Sequence, residues 1–359
     1  MNILHVNLAR GFRGGERQTE LLIRALFPYL PEQQLVCLEN SPLREKLSDL
    51  PITTYPIKNS FKKWWKKRPA DILHAHETKG AYWAGLYHSL YKTPYLITRR
   101  VDHPLKNNLK HRLLYGKAAT LVGLSKIIDQ ELSTFNTNHQ IIPSACCPIS
   151  PLSTPNNDIR KWAGSRTIIG HIGALIDKHK GQSRLIKIVK NHPEWVLVLV
   201  GEGQDRTTLE ALAAGADNIR FVGYTEDVLS YLASFDIFAF PSRYEGLGST
   251  IIDAMQMSKA IVASNVGGIP DLIQHGENGL LIDTDSELEC ALQNLANNPA
   301  LRIRLSTAAQ QTSERYTAEQ MAEKYLACYY QILGIPHETA DIGCHYHEKC
   351  GTTSITNPK

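Results

Sequence analysis

Short apolar runs recur along the chain, each followed by a turn and then by a stretch of helical spacing. The first is Ile3 to Leu8. Arg17 to Leu26 follows, with Leu21, Leu22, Ala25 and Leu26 on one helical face. The pattern predicts further strands at Gln34–Leu38, Ile52–Pro56, Ile72–Ala75, Tyr95–Thr98, Thr120–Gly123 and Gln140–Ile142. These runs are continuously apolar rather than alternating, which suits parallel strands covered on both faces. Pro143 to Asn157 interrupts the rhythm, with four prolines among Ser, Thr and Asn, and reads as a domain boundary. Strands are then predicted at Thr167–Ile172, Trp195–Val200, Ile219–Val222, Asp236–Phe240, Ala260–Ala263 and Gly279–Ile282. The expected fold class is α/β, with two Rossmann-like, doubly wound domains facing a central cleft. The expected division is 1–155, 156–315, a terminal helix within 316–335, and a polar, loosely ordered tail over 336–359.

Composition narrows the function classes. The 359 residues are 43% hydrophobic and 21% charged, which excludes wholesale disorder and a collagen or coiled-coil design. Net charge is +4, from 39 basic and 35 acidic residues, so a general nucleic-acid coat is not expected. No apolar run approaches the ~20 residues of a membrane-spanning helix. The opening Met-Asn-Ile-Leu-His, with Arg10 and Arg13 close behind, reads as a buried strand rather than a signal peptide. Seven scattered cysteines fit a reduced, cytoplasmic protein.

The most informative stretch runs from Phe240 to Gly268. A strand ends at Phe240, a loop carries Glu245, Gly246, Leu247 and Gly248, and a helix opens near Ser249. Glycines let a ligand approach the backbone, and the free N–H groups of a helix start suit a phosphate or diphosphate. Glu245 and Asp253 stand eight positions apart. Along a helix that is roughly 12 Å at about 1.5 Å per residue. Glycosidase carboxyl pairs lie about 5–9.5 Å apart. The longer spacing fits opposite ends of one extended ligand: a sugar, a diphosphate and a ribose.

Glu245 to Asp253 resembles the E-x7-E motif of GT-B glycosyltransferases of family 4, with Asp in the second place. That resemblance covers the chain to about residue 333 and is strongest in its second half. It implies that Glu245 contacts the donor sugar, Gly246–Gly248 face the diphosphate and Asp253 holds the ribose hydroxyls. Asp is one methylene shorter than the usual Glu, so the ribose contact differs. His171 to Gly181 looks like the family's G-R-L…K-G segment. Gly173 and Lys180 match it, and Ala174 stands where the family has Arg. Lys180 then neutralises the diphosphate more alone, or Lys178 or another basic residue substitutes. Val200 to Arg206 matches a G-x-G-x-x-R turn that mainly supports the fold, and Val222 follows in a loop expected to meet the nucleobase. Gly14 and Gly15 belong to a segment similar to the family's glycine-rich loop, one residue short before Glu16. Asp102 and His103 are the candidates for the family's active-site His, with Arg99, Arg100 and Ser125 on the acceptor side.

Other signals carry less chemistry. Asp283-Thr-Asp285 matches a metal-binding D-x-D, but its setting reads as a helix cap. His74 and His76 end a strand, and with no third ligand in view they do not read as a metal site, though one of them could line the cleft. Cys344 to Cys350 is dense in soft ligands, but its spacing fits no common zinc site. Lys62, Lys63, Lys66, Lys67 and Arg68 flank Trp64 and Trp65, which suits an anionic bilayer headgroup zone and equally an exposed basic helix with its tryptophans packed inward.

The resemblance implies a retaining, metal-independent transfer with no cofactor beyond the nucleotide-diphosphate-sugar co-substrate. The second domain would bind the donor and the first a lipid-linked or lipopolysaccharide-type glycan. The expected setting is bacterial envelope glycan synthesis, lipopolysaccharide core above all, peripheral on the cytoplasmic face of the inner membrane. Two rivals remain open at this stage: a non-hydrolysing UDP-sugar 2-epimerase of the same architecture, and a degenerate transferase acting as a scaffold.

Overall fold

The computed structural model describes residues 1–58, 68–148 and 154–336. Its first sheet holds β1 (Ile3–Asn7), β2 (Gln34–Leu38), β3 (Thr53–Ile57), β4 (Ile72–Ala75), β5 (Tyr95–Arg99), β6 (Thr120–Gly123) and β7 (His139–Ile141). They pair in parallel in the order β3-β2-β1-β4-β5-β6-β7. The second sheet holds β8 (Thr167–Ile172), β9 (Trp195–Val200), β10 (Ile219–Gly223), β11 (Ile237–Phe240), β12 (Ala260–Ser264) and β13 (Leu280–Ile282). Its order is β10-β9-β8-β11-β12-β13, again parallel. In each sheet the strand order reverses beside the first strand, at β1/β4 and at β8/β11. This is the doubly wound topology, whose crevice opens beyond the carboxyl ends of the strands at the switch point.

The burial pattern explains the strand composition. Central β1 and β9 are buried at every residue; β9 is apolar throughout, while β1 also buries His5 and Asn7. Edge strands β3 and β10 are only partly buried and admit Thr and Arg. Gly170 in β8 is required by packing, since a Cβ there would lie inside the Phe235 ring.

The last helix, Ala318–Leu333, starts at Thr317, whose side chain accepts the Gln320 N–H at 3.2 Å. Its Met321, Tyr325 and Tyr329 pack in one cluster with Ile3, Leu22 and Ile72, so this helix rests on the first domain. Full burial of one such apolar side chain contributes roughly 1.5–3 kcal/mol. Further bonds join the halves. The Lys126 N–H donates to Asp271 at 2.7 Å, the Cys146 N–H to the Tyr316 carbonyl at 2.8 Å, and Lys46 pairs with Glu226 at 2.8 Å. Among the described residues, no helix is long and apolar enough to cross a membrane.

Candidate active site

The loops that follow β1, β5, β8 and β11 meet at one place, a cleft of about 880 Å³ between the two sheets. The loop after β11 ends at Gly248, whose φ of +88° is in the left-handed region that favours glycine. The Ser249–Gln256 helix begins there, anchored by buried Ile251, Ile252, Ala254 and Met255. Its free N–H groups open on the cleft, where they favour an anion. The Gly14–Leu26 helix starts opposite, and a Cβ on Gly14 would stand 3.5 Å from the Ser249 hydroxyl. Two helix N-termini thus face one space.

The loop after β8 brings Gly173, Ala174 and Lys180 to the same wall. The Lys180 ammonium pairs directly with the Glu245 carboxylate and lies 5.0 Å from the centre of the Phe240 ring. Behind Gly173, fully buried His171 shares a 3.0 Å bond with the Ala239 carbonyl through Nδ1, which must therefore carry the proton. Burial draws its pKa down to about 4, so it is a neutral support and not an acid.

The first domain supplies Arg100, Asp102 and His103. The Asp102 carboxylate accepts the Glu245 N–H at 3.1 Å, and the Glu245 carbonyl accepts the Gly268 N–H at 3.1 Å. Glu245 is therefore held by its backbone on both sides. The His103 ring meets His179 at 5.6 Å, edge on, and Tyr244 at 6.2 Å, closing an aromatic group across the cleft. The Arg100 guanidinium has Nε and Nη2 buried without a hydrogen-bond partner, and burial lowers its pKa.

Most residues singled out from the sequence line this one cleft: Gly14, Gly15, Gly173, Lys180, Glu245, Gly246, Leu247, Gly248 and Asp253, with Arg100, Asp102 and His103. Four expectations about the cleft wall need correction first. Arg99 does not line the cleft. It pairs with Glu131 at 3.2 Å and donates to the His103 carbonyl, so it braces the loop. Ser125 is fully buried, and a Cβ on Gly268 would lie 2.6 Å from its own Cβ, so it packs between domains. Val222 sits where the β9–β10 register slips and packs against the core, while Tyr224, Thr225 and Glu226 form the wall. Lys178 is exposed and off the wall.

Asp253 carries a role that its spacing did not show. Its carboxylate accepts the Cys147 N–H at 2.8 Å and lies 3.7 Å from Arg17. It thus ties the second domain to the connecting segment and to the first helix. Burial raises its pKa, opposed by Arg17 and by the Cys147 N–H.

His74 and His76 are buried off the cleft and do have a third imidazole beside them, His5. Parallel pairing of β1 with β4 sets His5 opposite His74. The three rings are hydrogen bonded. His5 bonds Gln33 at 2.9 Å and His76 at 3.0 Å, and His74 bonds Tyr329 at 2.6 Å and Thr98 at 2.8 Å. The Gln33 amide donates to the Ile23 carbonyl, so its oxygen faces His5 Nε2, which carries the proton. His76 then donates to His5 Nδ1. The arrangement is a neutral network, and the nearby Arg100 charge further disfavours a cation there. Thr284 caps the Asp285–Asn297 helix and Asp285 pairs with Arg184, so the D-x-D serves structure. Of the basic tryptophan patch, Arg68 is buried with its guanidinium over the Tyr55 and Trp83 rings, so it packs inward and not against a membrane surface. Lys62, Lys63, Trp64, Trp65, Lys66 and Lys67 lie outside the described residues, as does the Cys344–Cys350 segment.

Residues 166–298 match the family model described as glycosyl transferases group 1. An uncharacterized glycosyltransferase of Haemophilus influenzae is 34% identical over 219 residues, 58% of this chain and 60% of its own length. The lipopolysaccharide core biosynthesis glycosyltransferase LpsD of Rhizobium meliloti is 24% identical over 348 residues, 91% of this chain and 97% of its own. Among solved structures, Anabaena HepE in complex with UDP-glucose superposes with a TM-score of 0.81 at 18% identity, covering 92% of this chain and 100% of that one.

Proposed function

We propose that this GT-B glycosyltransferase moves a sugar from a nucleotide-diphosphate-sugar to a glycan or lipid-linked acceptor, in lipopolysaccharide core or related envelope synthesis. The observation that carries the reading is the Lys180–Glu245 pair, set beside the N-terminus of the Ser249–Gln256 helix at the strand switch point. The names of its relatives support the process, and the bound UDP-glucose of its structural neighbour supports the donor class.

In this reading the donor sugar lies over Glu245 and its diphosphate faces Lys180 and the Gly246–Gly248 amides. As the sugar–phosphate bond breaks, negative charge grows on the leaving diphosphate. Fixed N–H dipoles and an ammonium in a water-poor site stabilise that charge, and no metal ion is called for. Asp102 and His103 stand on the opposite wall, beside the acceptor. The anomeric configuration is retained. The Asp253 oxygen facing Arg17 across 3.7 Å accepts a ribose hydroxyl, since the other oxygen is taken by Cys147. Contacts across the closed cleft exclude water and limit donor hydrolysis. A lipid-linked acceptor would bring the chain to the cytoplasmic membrane surface, where residues Phe61 to Lys67 are the proposed contact.

The test is a titration with UDP-, GDP-, ADP- and CMP-sugars, read by thermal shift and by release of free nucleotide, with and without EDTA. Stabilisation by one nucleoside diphosphate class, with slow release unaffected by EDTA, is the expected result. No shift with any donor would contradict the reading.

A further inference from the structure

The cleft's positive charges are mostly committed. Lys180 pairs with Glu245, Arg17 faces Asp253 at 3.7 Å, and Lys46 pairs with Glu226 at 2.8 Å. Arg13 is exposed at the start of the first helix. Arg100 differs from all of these. Its Nε and Nη2 are buried, and neither has a partner.

Its position is equally specific. Its Cδ would touch a Cβ on Gly15 at 3.5 Å, and its own carbonyl oxygen would collide with a Cβ on Gly246. It therefore stands between the two glycine segments that lead into facing helix N-termini. Two desolvated guanidinium N–H groups without an acceptor are unfavourable in the free protein. Glu16 offers the charge a neighbouring carboxylate but no hydrogen bond to these two nitrogens, and a bound anion removes that penalty. On the opposite wall, Ala174 offers no cation to the same space.

We propose that Arg100 supplies the donor diphosphate with the second positive charge that position 174 lacks, reaching it from the first domain rather than the second. The inference rests on the donor reading above and deepens it. Arg100 then belongs to the leaving-group side of the cleft and not to an anionic acceptor. Because it sits on the first domain, its contact forms only when the cleft is closed, which couples closure to neutralisation of the leaving group.

Calorimetric titration of inorganic pyrophosphate, UDP and uridine tests this on the wild type, Arg100→Gln, Arg100→Lys and Arg100→Gln with Ala174→Arg. A charge-assisted contact predicts pyrophosphate and UDP binding weakened about ten- to a hundredfold in Arg100→Gln, with uridine unchanged. Arg100→Lys should keep most of the affinity, and Ala174→Arg should restore it in the Arg100→Gln background. Free Arg100→Gln should melt no lower than wild type, because no partner is lost. Wild-type pyrophosphate affinity in Arg100→Gln would overturn the inference, as would a rise confined to the acceptor KM. A wild-type chain that binds no nucleoside diphosphate of any base overturns the donor reading, and this inference with it. Normal diphosphate binding by Arg100→Gln overturns this inference alone.

Discussion

Gly246 separates folding from closure. It does not have a positive φ, so its own backbone tolerates alanine. The added Cβ would collide with the Arg100 carbonyl oxygen and would also meet Ile128 Cδ1 at 3.5 Å, both on the first domain. Nothing within the second domain obstructs it. Ordinary contact begins near 3.4 Å, so the facing backbones must separate by roughly 1 Å, and a misplacement of that size at a reaction centre costs about 10²-fold. Gly246→Ala is therefore expected to keep its circular dichroism spectrum and melt within a few degrees of wild type, while turnover at saturating donor falls about a hundredfold. Gly11→Ala is the control, because a Cβ there meets nothing within 4 Å. Steady-state release of nucleoside diphosphate in the presence of acceptor is the assay. Small-angle scattering should show a more open Gly246→Ala particle. More than half of wild-type turnover in Gly246→Ala, or a loss accompanied by unfolding, would refute the reasoning.

Three further outcomes follow from the same contacts. Asp253→Ala leaves the buried Cys147 N–H unsatisfied, and should lower the free energy of unfolding by about 1–3 kcal/mol in urea titrations; an unchanged midpoint would remove Asp253 as an interdomain tie. Burial sets the pKa of both His5 and His171 near 4, below the 6.5 of an unfolded histidine. The unfolded chain therefore binds more protons between those values. Stability present above pH 6.5 should be lost as pH falls towards 4, by up to about 3 kcal/mol per histidine; equal unfolding midpoints at pH 7.5 and 4.5 would contradict this. Lys46→Ala removes a surface pair with Glu226 and a distant contact with the Phe12 ring, and should change stability by less than about 1 kcal/mol.

The strands were legible because their burial on both faces demands unbroken apolar runs, as in Trp195–Val200 and Ile237–Phe240. The loop from Glu245 to Gly248 was legible for a related reason: a glycine-rich turn between a strand and a helix has few other uses. What failed was the assignment of single side chains. Arg99 and Arg100 are neighbours in the chain, yet strand alternation turns one towards Glu131 and the other into the cleft. Ser125 follows a strand, as a cleft residue would, but the second domain's Gly268 closes over it. His5 joins His74 only through sheet register, which spacing along the chain does not encode. Tyr244 and His179 meet His103 across the cleft and were not singled out, although Tyr244 adjoins Glu245.

The central claim is that donor chemistry takes place where Glu245 meets Lys180. Its most direct test is nucleotide-sugar turnover by wild type and Glu245→Ala, side by side, with the donor that stabilises the wild type most. Turnover lost in Glu245→Ala, with its thermal unfolding intact, is the predicted result. Equal turnover in the two proteins would place the chemistry elsewhere in the chain.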